Sequence, residues 1–438
     1  MAGVDMSMVP LDFSFYNLTL ANVRDGSIPR TRLDDAVRRI LRVKFALGQI
    51  VYVFLLILFF LSVGLFDGRT AWPNSSASSD FNRPEYFSTQ RESARQVMTL
   101  LKNNENILPL DSTKITESKK LIITGPTSNS LSTLNGGWSY KDEQSYPENY
   151  KNKTIVGSFR NRLGSLKIDY YNSSSFNQLY NIDQLLNASK NASYILVCLG
   201  ERAYKETEGN INDLTLDDAQ LELVELIHNH TQAPIILALA QGRPRLIHRI
   251  VDLVAGIIMM YLPGMEGGEA LVDVLLGDYN PSGRLPITYP KYPHLLTTYD
   301  YKWTENELGN NIDVEFEFGH GLSYTTFSYS DLKVPLTFNW NEQLNITLNV
   351  RNTGLKQGDH TILLFISDLY RSITPPNKEL KAYTKISLDP NQQQQIQFTL
   401  DQHDLSFISL NLTRITEPGL FTIIVGNLQA NVTLLSED

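Results

Sequence analysis

Between Glu85 and Tyr289 short apolar runs rich in β-branched residues alternate with helical segments, and that alternation constrains the fold more than any other feature. The pattern predicts a helix over Ser88–Leu101, strands over Lys120–Ile123 and Tyr194–Leu199, a helix over Asp217–His228, and strands over Pro234–Ala240 and Gly256–Tyr261. Strands that read as continuous apolar runs are buried on both faces, so the expected architecture is an α/β sandwich domain with a mainly parallel sheet. In such sheets, function is expected at the carboxyl ends of the strands. From about Asp331 onward the texture changes. Leu344–Val350, Thr361–Ser367, Gln395–Leu400 and Gly419–Val425 alternate apolar and polar residues between turn signals, which predicts an all-β sandwich of fibronectin type III or immunoglobulin character. The Gln392–Gln395 run within it reads as a solvated loop.

The N-terminal part has a different grammar. Leu33–Leu47 has a helical apolar period with basic residues between, and Thr31 is placed to cap it. Ile50–Phe66 follows, seventeen residues without a charge, at the lower edge of what spans a bilayer. Arg38, Arg39, Arg42 and Lys44 precede it and Asp67 follows, so a spanning segment would place the C-terminal part outside the cell or in a lumen. Ala71–Arg83, rich in Pro, Asn and Ser, reads as a linker. Met1–Asp5 does not open a signal peptide. Asn-x-Ser/Thr sequons at Asn17, Asn74, Asn152, Asn172, Asn187, Asn191, Asn229, Asn345, Asn411 and Asn431 nevertheless suit a secreted or lysosomal glycoprotein, with chance triplets as the other reading. The formal charge of -9 and the lack of a basic stripe argue against a nucleic-acid partner. Cys198, the single cysteine, lies in an apolar run and reads as a buried, inert thiol.

Chemistry is expected in the loop Gly200–Gly209, which places Glu201, Glu206 and Glu208 directly after the strand at Tyr194. A glycosidase needs one carboxyl to protonate the leaving oxygen and a second carboxylate across the sugar ring. Spacing alone does not choose among the three, and a solvated charge is the other reading of each. Trp138, behind Gly136 and Gly137, is poorly placed for a core and well placed to offer its ring to a sugar face; burial between loop and domain is the alternative. The turn Pro263–Ala270 is Gly-rich but lacks the spacing of a nucleotide cradle. His320 stands alone between glycines with no second ligand at metal spacing, and no Gly-x-Ser-x-Gly elbow occurs. Neither a metal nor a cofactor is expected.

Set in order, these segments resemble glycoside hydrolase family 3. Gly3-Val4-Asp5-Met6 with Arg32-Leu33-Asp34-Asp35-Ala36 resembles the closing strand and helix of the family's (β/α)8 barrel, so residues 1–49 read as a barrel remnant. Arg91-Glu92-Ser93-Ala94 and Leu108-Pro109-Leu110 are similar to the entry of its second domain, assigned to 86–300 after a linker at 67–85. The Gly200–Gly209 loop, Gly242-Arg243-Pro244, Pro263–Glu269, Asn280–Pro286 and Phe318–Phe327 are the more specific matches, and their order makes the signal strong. A linker at 301–330 and a fibronectin type III-like domain at 331–438 complete the reading.

The resemblance implies a retaining, exo-acting β-glucosidase in the complete enzyme, with Glu206 as general acid/base and Trp138 beside the leaving-group subsite. It also implies that the nucleophile aspartate lies on the barrel before this segment, so that the chain alone is inactive; none of Asp5, Asp80, Asp331 or Asp368 takes that role. Asn210 stands where the family often has Asp. Because the family's helix ends in Leu-Gly-Leu-Phe-Asp, residues 50–66 interrupt the match between Gly48 and Leu65, and we expect a stretch foreign to the fold there, with a membrane anchor and a buried helix as the other readings. The expected ligand is a β-linked glucoside or oligosaccharide; a non-catalytic carbohydrate-binding or scaffold glycoprotein is the rival function. Oligomeric state is not legible.

Overall fold

The computed structural model describes residues 3–9, 12–48, 83–139, 146, 150–295, 298–302 and 313–436. The apolar run Ile50–Phe66, and with it the choice between foreign stretch, anchor and buried helix, lies outside the described residues. The chain divides into two compact units, Met1–Arg83 and Pro84–Asp438.

In the first unit, α1 (Ser14–Arg24) and α2 (Arg30–Gly48) are joined by a short turn in which Asp25 accepts the amide of Ser27 at 2.8 Å. Thr31 lies inside the first turn of α2 and is not its cap: Pro29, whose ring presets a helical φ, already brings Arg30 into the helix. Residues 3–9, where the resemblance implied a barrel strand, form no strand, since no neighbouring strand pairs with them among the described residues. Asp5 instead pairs with Arg32 at 2.8 Å.

The second unit begins with α3 (Pro84–Val97), which stops earlier than the predicted Ser88–Leu101 helix. Residues 99–103 turn into a strand, β1 (Thr99–Asn103), because Thr99, Leu100 and Leu101 are all buried, a pattern that suits a strand between two packed layers. Then follow β2 (Leu121–Thr124), α4 (Ser132–Asn135), α5 (Ile155–Leu163), β3 (Ile168–Tyr171), α6 (Ile182–Ser189), β4 (Tyr194–Gly200), α7 (Asp218–His230), β5 (Ile235–Ala240), α8 (His248–Val251), β6 (Gly256–Met259) and α9 (Gly267–Leu276). The sheet runs β1-β6-β5-β4-β2-β3, parallel except for the edge strand β1. Side chains alternate between two cores. Leu196, Cys198, Ile236 and Ala238 face α5 and α9, whereas Ile195, Val197, Leu237 and Leu239 face α6 and α7. From β2 the chain steps outward to β3, then returns to the opposite side of β2 as β4 and continues to β5 and β6. The switch point of the sheet therefore lies between β2 and β4, where two loops leave in divergent directions and open a crevice.

The remainder is a β-sandwich. Strands β7 (Phe327–Lys333), β8 (Thr337–Phe338), β9 (Leu344–Asn352), β10 (Gly358–Asp368), β11 (Glu379–Leu388), β12 (Gln393–Leu400), β13 (Phe407–Ile408), β14 (Arg414–Ile415), β15 (Gly419–Val425) and β16 (Leu428–Leu434) form sheets ordered β11-β10-β15-β16-β8 and β12-β9-β7, with β13 and β14 as a separate pair. The glutamines Gln393–Gln395 are not a loop. They pair with Asn349–Arg351 of β9, exposed but laddered.

The α/β layer and the sandwich meet through motifs singled out in the sequence. Asn280 donates to Gln357 O at 2.9 Å and accepts from Ser323 Oγ at 2.8 Å and the Tyr324 amide at 2.7 Å. Arg284 donates to His360 Nδ1 at 3.0 Å, which leaves the His360 Nε2–H to Tyr329 Oη at 2.6 Å. Burial and the neighbouring guanidinium push the His360 imidazole down to about 3. In the span read as a linker, Tyr301 O accepts the Asn377 amide of the sandwich at 2.8 Å, whereas Phe316 pairs with Tyr289 and Leu322 donates to Leu100 O at 2.8 Å, so the described part from 313 to Tyr324 lies against the α/β layer before the chain enters β7 at Phe327. His320 is not a metal site: Nε2 donates to Leu101 O at 2.8 Å, the ring stacks on Phe316, and burial lowers its basicity. Among the described residues no group of His, Cys, Asp and Glu could hold a metal ion, and no helix is long and apolar enough to cross a membrane.

Candidate active site

Trp138 and Glu206 both lie at the switch point, Trp138 on the loop that follows β2 and Glu206 on the loop that follows β4. The β4 loop starts from a fixed base. Gly200 exchanges two hydrogen bonds with the buried Gln220 amide of α7, at 2.9 and 3.0 Å. The next residue, Glu201, is buried and pairs with two arginines from the end of β5: Arg243 Nε at 2.8 Å and Arg245 Nη1 at 3.0 Å. Arg243 also donates to Gly209 O, and Arg245 Nε donates to Leu214 O at 3.0 Å. A buried carboxylate flanked by two guanidiniums thus ties the start, the end and the sequel of the loop to the neighbouring strand. Such a cluster is costly to break, because removal of one member leaves an uncompensated buried charge.

Tyr204 is the second anchor. The Arg243 guanidinium lies 3.9 Å from its ring centroid. A Cβ at Gly209 would come within 2.7 Å of the ring, one at Gly242 within 2.4 Å of the hydroxyl, and one at Gly137 within 2.2 Å of the Tyr204 carbonyl oxygen. Close approach of backbone therefore requires glycine at all three positions and locks the β2, β4 and β5 loops to one another.

Glu206 follows from this clamp. It opens a single turn, Glu206–Gly209, with φ of 37°, a left-handed backbone uncommon outside glycine that recurs at functional sites. Its side chain is exposed, and its carboxylate makes no hydrogen bond or ion pair with any described residue. Two of the three glutamates that sequence spacing left equivalent are thus separated by environment: Glu201 is buried and ion-paired, and Glu206 is presented. Trp138 is 75% exposed, and the Lys205 ammonium lies 5.1 Å from its ring centroid, which ties the Trp138 ring to the residue next to Glu206. Arg202 stacks over Phe176 at 5.0 Å on the same side.

Sequence reasoning did not single out Glu201, Arg243 and Arg245 as a unit, nor Tyr204. The signal was present in Arg243-Pro244-Arg245, two cations bracketing one residue at the end of an apolar strand, but only the β4–β5 register brings them to Glu201. The Cys198 thiol is buried in β4 and pushed far up by desolvation, as an inert thiol should be.

The family model for the glycosyl hydrolase family 3 C-terminal domain matches residues 98–324, more than half of the chain. The chain belongs to glycosyl hydrolase family 3. The model of a fibronectin type III-like domain matches residues 360–429 of this family 3 chain. It is 34% identical to the lysosomal beta glucosidase of Dictyostelium discoideum over 99% of its own length and 52% of that protein's, and 29% identical to the periplasmic beta-glucosidase of Salmonella typhimurium over 97% of its own length and 57% of that one's. The family 3 chain thus spans little more than half the length of those relatives. A crystal structure of a beta-glucosidase from Listeria innocua in complex with isofagomine superposes with a TM-score of 0.83 at 23% identity, covering 99% of this chain and 59% of that one, a likeness in fold.

Proposed function

We propose that this chain carries the acid/base half of a retaining, exo-acting β-glucosidase, with Glu206 as the acid/base and the Trp138 ring beside the leaving group. The observation that carries the reading is the contrast within one loop: a buried, doubly paired Glu201 holds rigid the turn on which Glu206 is presented unpaired. In a retaining hydrolase the acid/base first gives its proton to the glycosidic oxygen as that bond breaks, and later takes a proton from the water that releases the glycosyl group. An exposed, unpaired carboxyl on a rigid base suits both steps. The nucleophile is assigned to no residue of this chain, and the chain alone is proposed to be inactive. The names of the relatives support a β-linked glucoside as substrate. All nine described sequon asparagines are exposed, which supports a secreted or lysosomal glycoprotein.

The test is chemical rescue. In a polypeptide that joins this chain to a family 3 barrel, Glu206→Ala should lower turnover of a β-glucoside with a poor leaving group roughly a hundred- to ten-thousand-fold. Added azide should restore turnover of an activated aryl β-glucoside and yield β-glucosyl azide. Full activity of the variant, or no azide adduct, would remove Glu206 from the role. A non-catalytic carbohydrate-binding role is favoured by one observation, the exposure of Trp138, and predicts saturable glucoside binding with neither loss nor rescue.

A further inference from the structure

Beside Trp138 a groove of about 330 Å³ opens between the loops that follow β2 and β4. Ser130, Ser132 and Thr133 line one wall, Phe176 another, and the charged residues that line it are Arg202 and Lys205, with no carboxylate among the described lining residues. The Arg202 guanidinium lies over the Phe176 ring, 5.0 Å from its centroid, and makes one long hydrogen bond, 3.4 Å, to Asn177 Oδ1. It has no ion pair with any described residue. The N–H fork of a guanidinium matches a planar carboxylate.

We propose that this groove binds the leaving group of β-glucosides that carry a carboxylate there, with the carboxylate on Arg202. This names a substrate class for the site and rests on the acid/base reading only for the direction in which the glucosyl unit points. Arg202 is exposed, so the gain is modest, about fivefold in affinity.

The chain itself is the test material. Titrate it with 4-carboxyphenyl β-glucoside and with its neutral isostere 4-carbamoylphenyl β-glucoside, following tryptophan fluorescence, with Trp138→Phe to locate the signal. The carboxylate should bind about fivefold tighter at low ionic strength, and the preference should fade at about 0.5 M salt, where surface charges are screened within a few ångströms. Arg202→Gln should abolish the preference and Arg202→Lys retain part of it, both with unchanged thermal midpoints. Equal affinities for the two probes, a preference that survives Arg202→Gln, or no saturable binding of either probe would overturn the proposal. Azide rescue of Glu206→Ala is independent of this measurement, so failure of one reading is not mistaken for failure of the other.

Discussion

The carboxylate clusters of the α/β layer and strand β10 of the β-sandwich accommodate buried ionisable groups in different ways. Both bury ionisable side chains. In the α/β layer three buried carboxylates are ion-paired: Glu201 with Arg243 and Arg245, Glu266 with Arg91 and Lys153, Asp273 with Arg95. On strand β10 of the sandwich two are instead driven toward neutrality: burial pushes the His360 imidazole down to about 3 and the Asp368 carboxyl up, its contact with the Tyr370 amide notwithstanding. A paired buried charge fixes geometry from several directions, whereas a neutralised one fills space and makes one or two hydrogen bonds. The paired clusters tie loops and helices to one another, whereas His360 and Asp368 lie on a strand whose ladder already sets the geometry.

The largest test of that contrast is Glu201→Ala. Two guanidiniums left facing an empty space should cost about 3–5 kcal/mol, read as a drop in the urea midpoint of the chain. A loss below about 1 kcal/mol would mean that the pairing is incidental. His360 gives the intermediate effect. Its folded-state basicity lies below its unfolded value near 6.5, so the stability it contributes is complete above pH 6.5 and is lost as pH falls toward 3. Across that window the unmutated chain should lose stability faster than His360→Gln, by up to about 1.4 kcal/mol per pH unit. Parallel slopes would show that His360 titrates freely. The smallest effect belongs to Trp138→Ala, which should change stability by less than about 0.5 kcal/mol while removing the fluorescence response to aryl glucosides. A larger stability loss would place the ring in the core.

The same contrast explains what the sequence made legible. Strands β9, β10, β12 and β15 show through because their period of two separates a buried from a solvated face; the polar Gln393–Gln395 stretch and the largely exposed β7 and β11 did not, since an exposed ladder strand carries no apolar signal. Among the α/β strands the long buried runs at β4 and β5 were plain, but β3, four residues with only Ile168 buried, was not, and the apolar run through Leu101 continued a helical pattern although its backbone is a strand. For the site, motif order pointed to Glu206 and Trp138. The reason Glu206 is presented at all, the clamp through Glu201 and Tyr204, joins residues from neighbouring strands more than thirty positions apart, and no local pattern encodes such a pairing.

The bridge between Leu322 and Leu100 has a bearing on modularity. β1 is the outer strand of its sheet, and the segment through Leu322 lies along it as a selvedge, blunting an edge that would otherwise invite pairing with another chain. A cut placed by sequence texture, near residue 300, would strip that border from the sheet. Grafting, shuffling or evolutionary loss of the sandwich is therefore free only behind Tyr324, and a transplanted α/β layer that ends sooner should assemble edge to edge into aggregates.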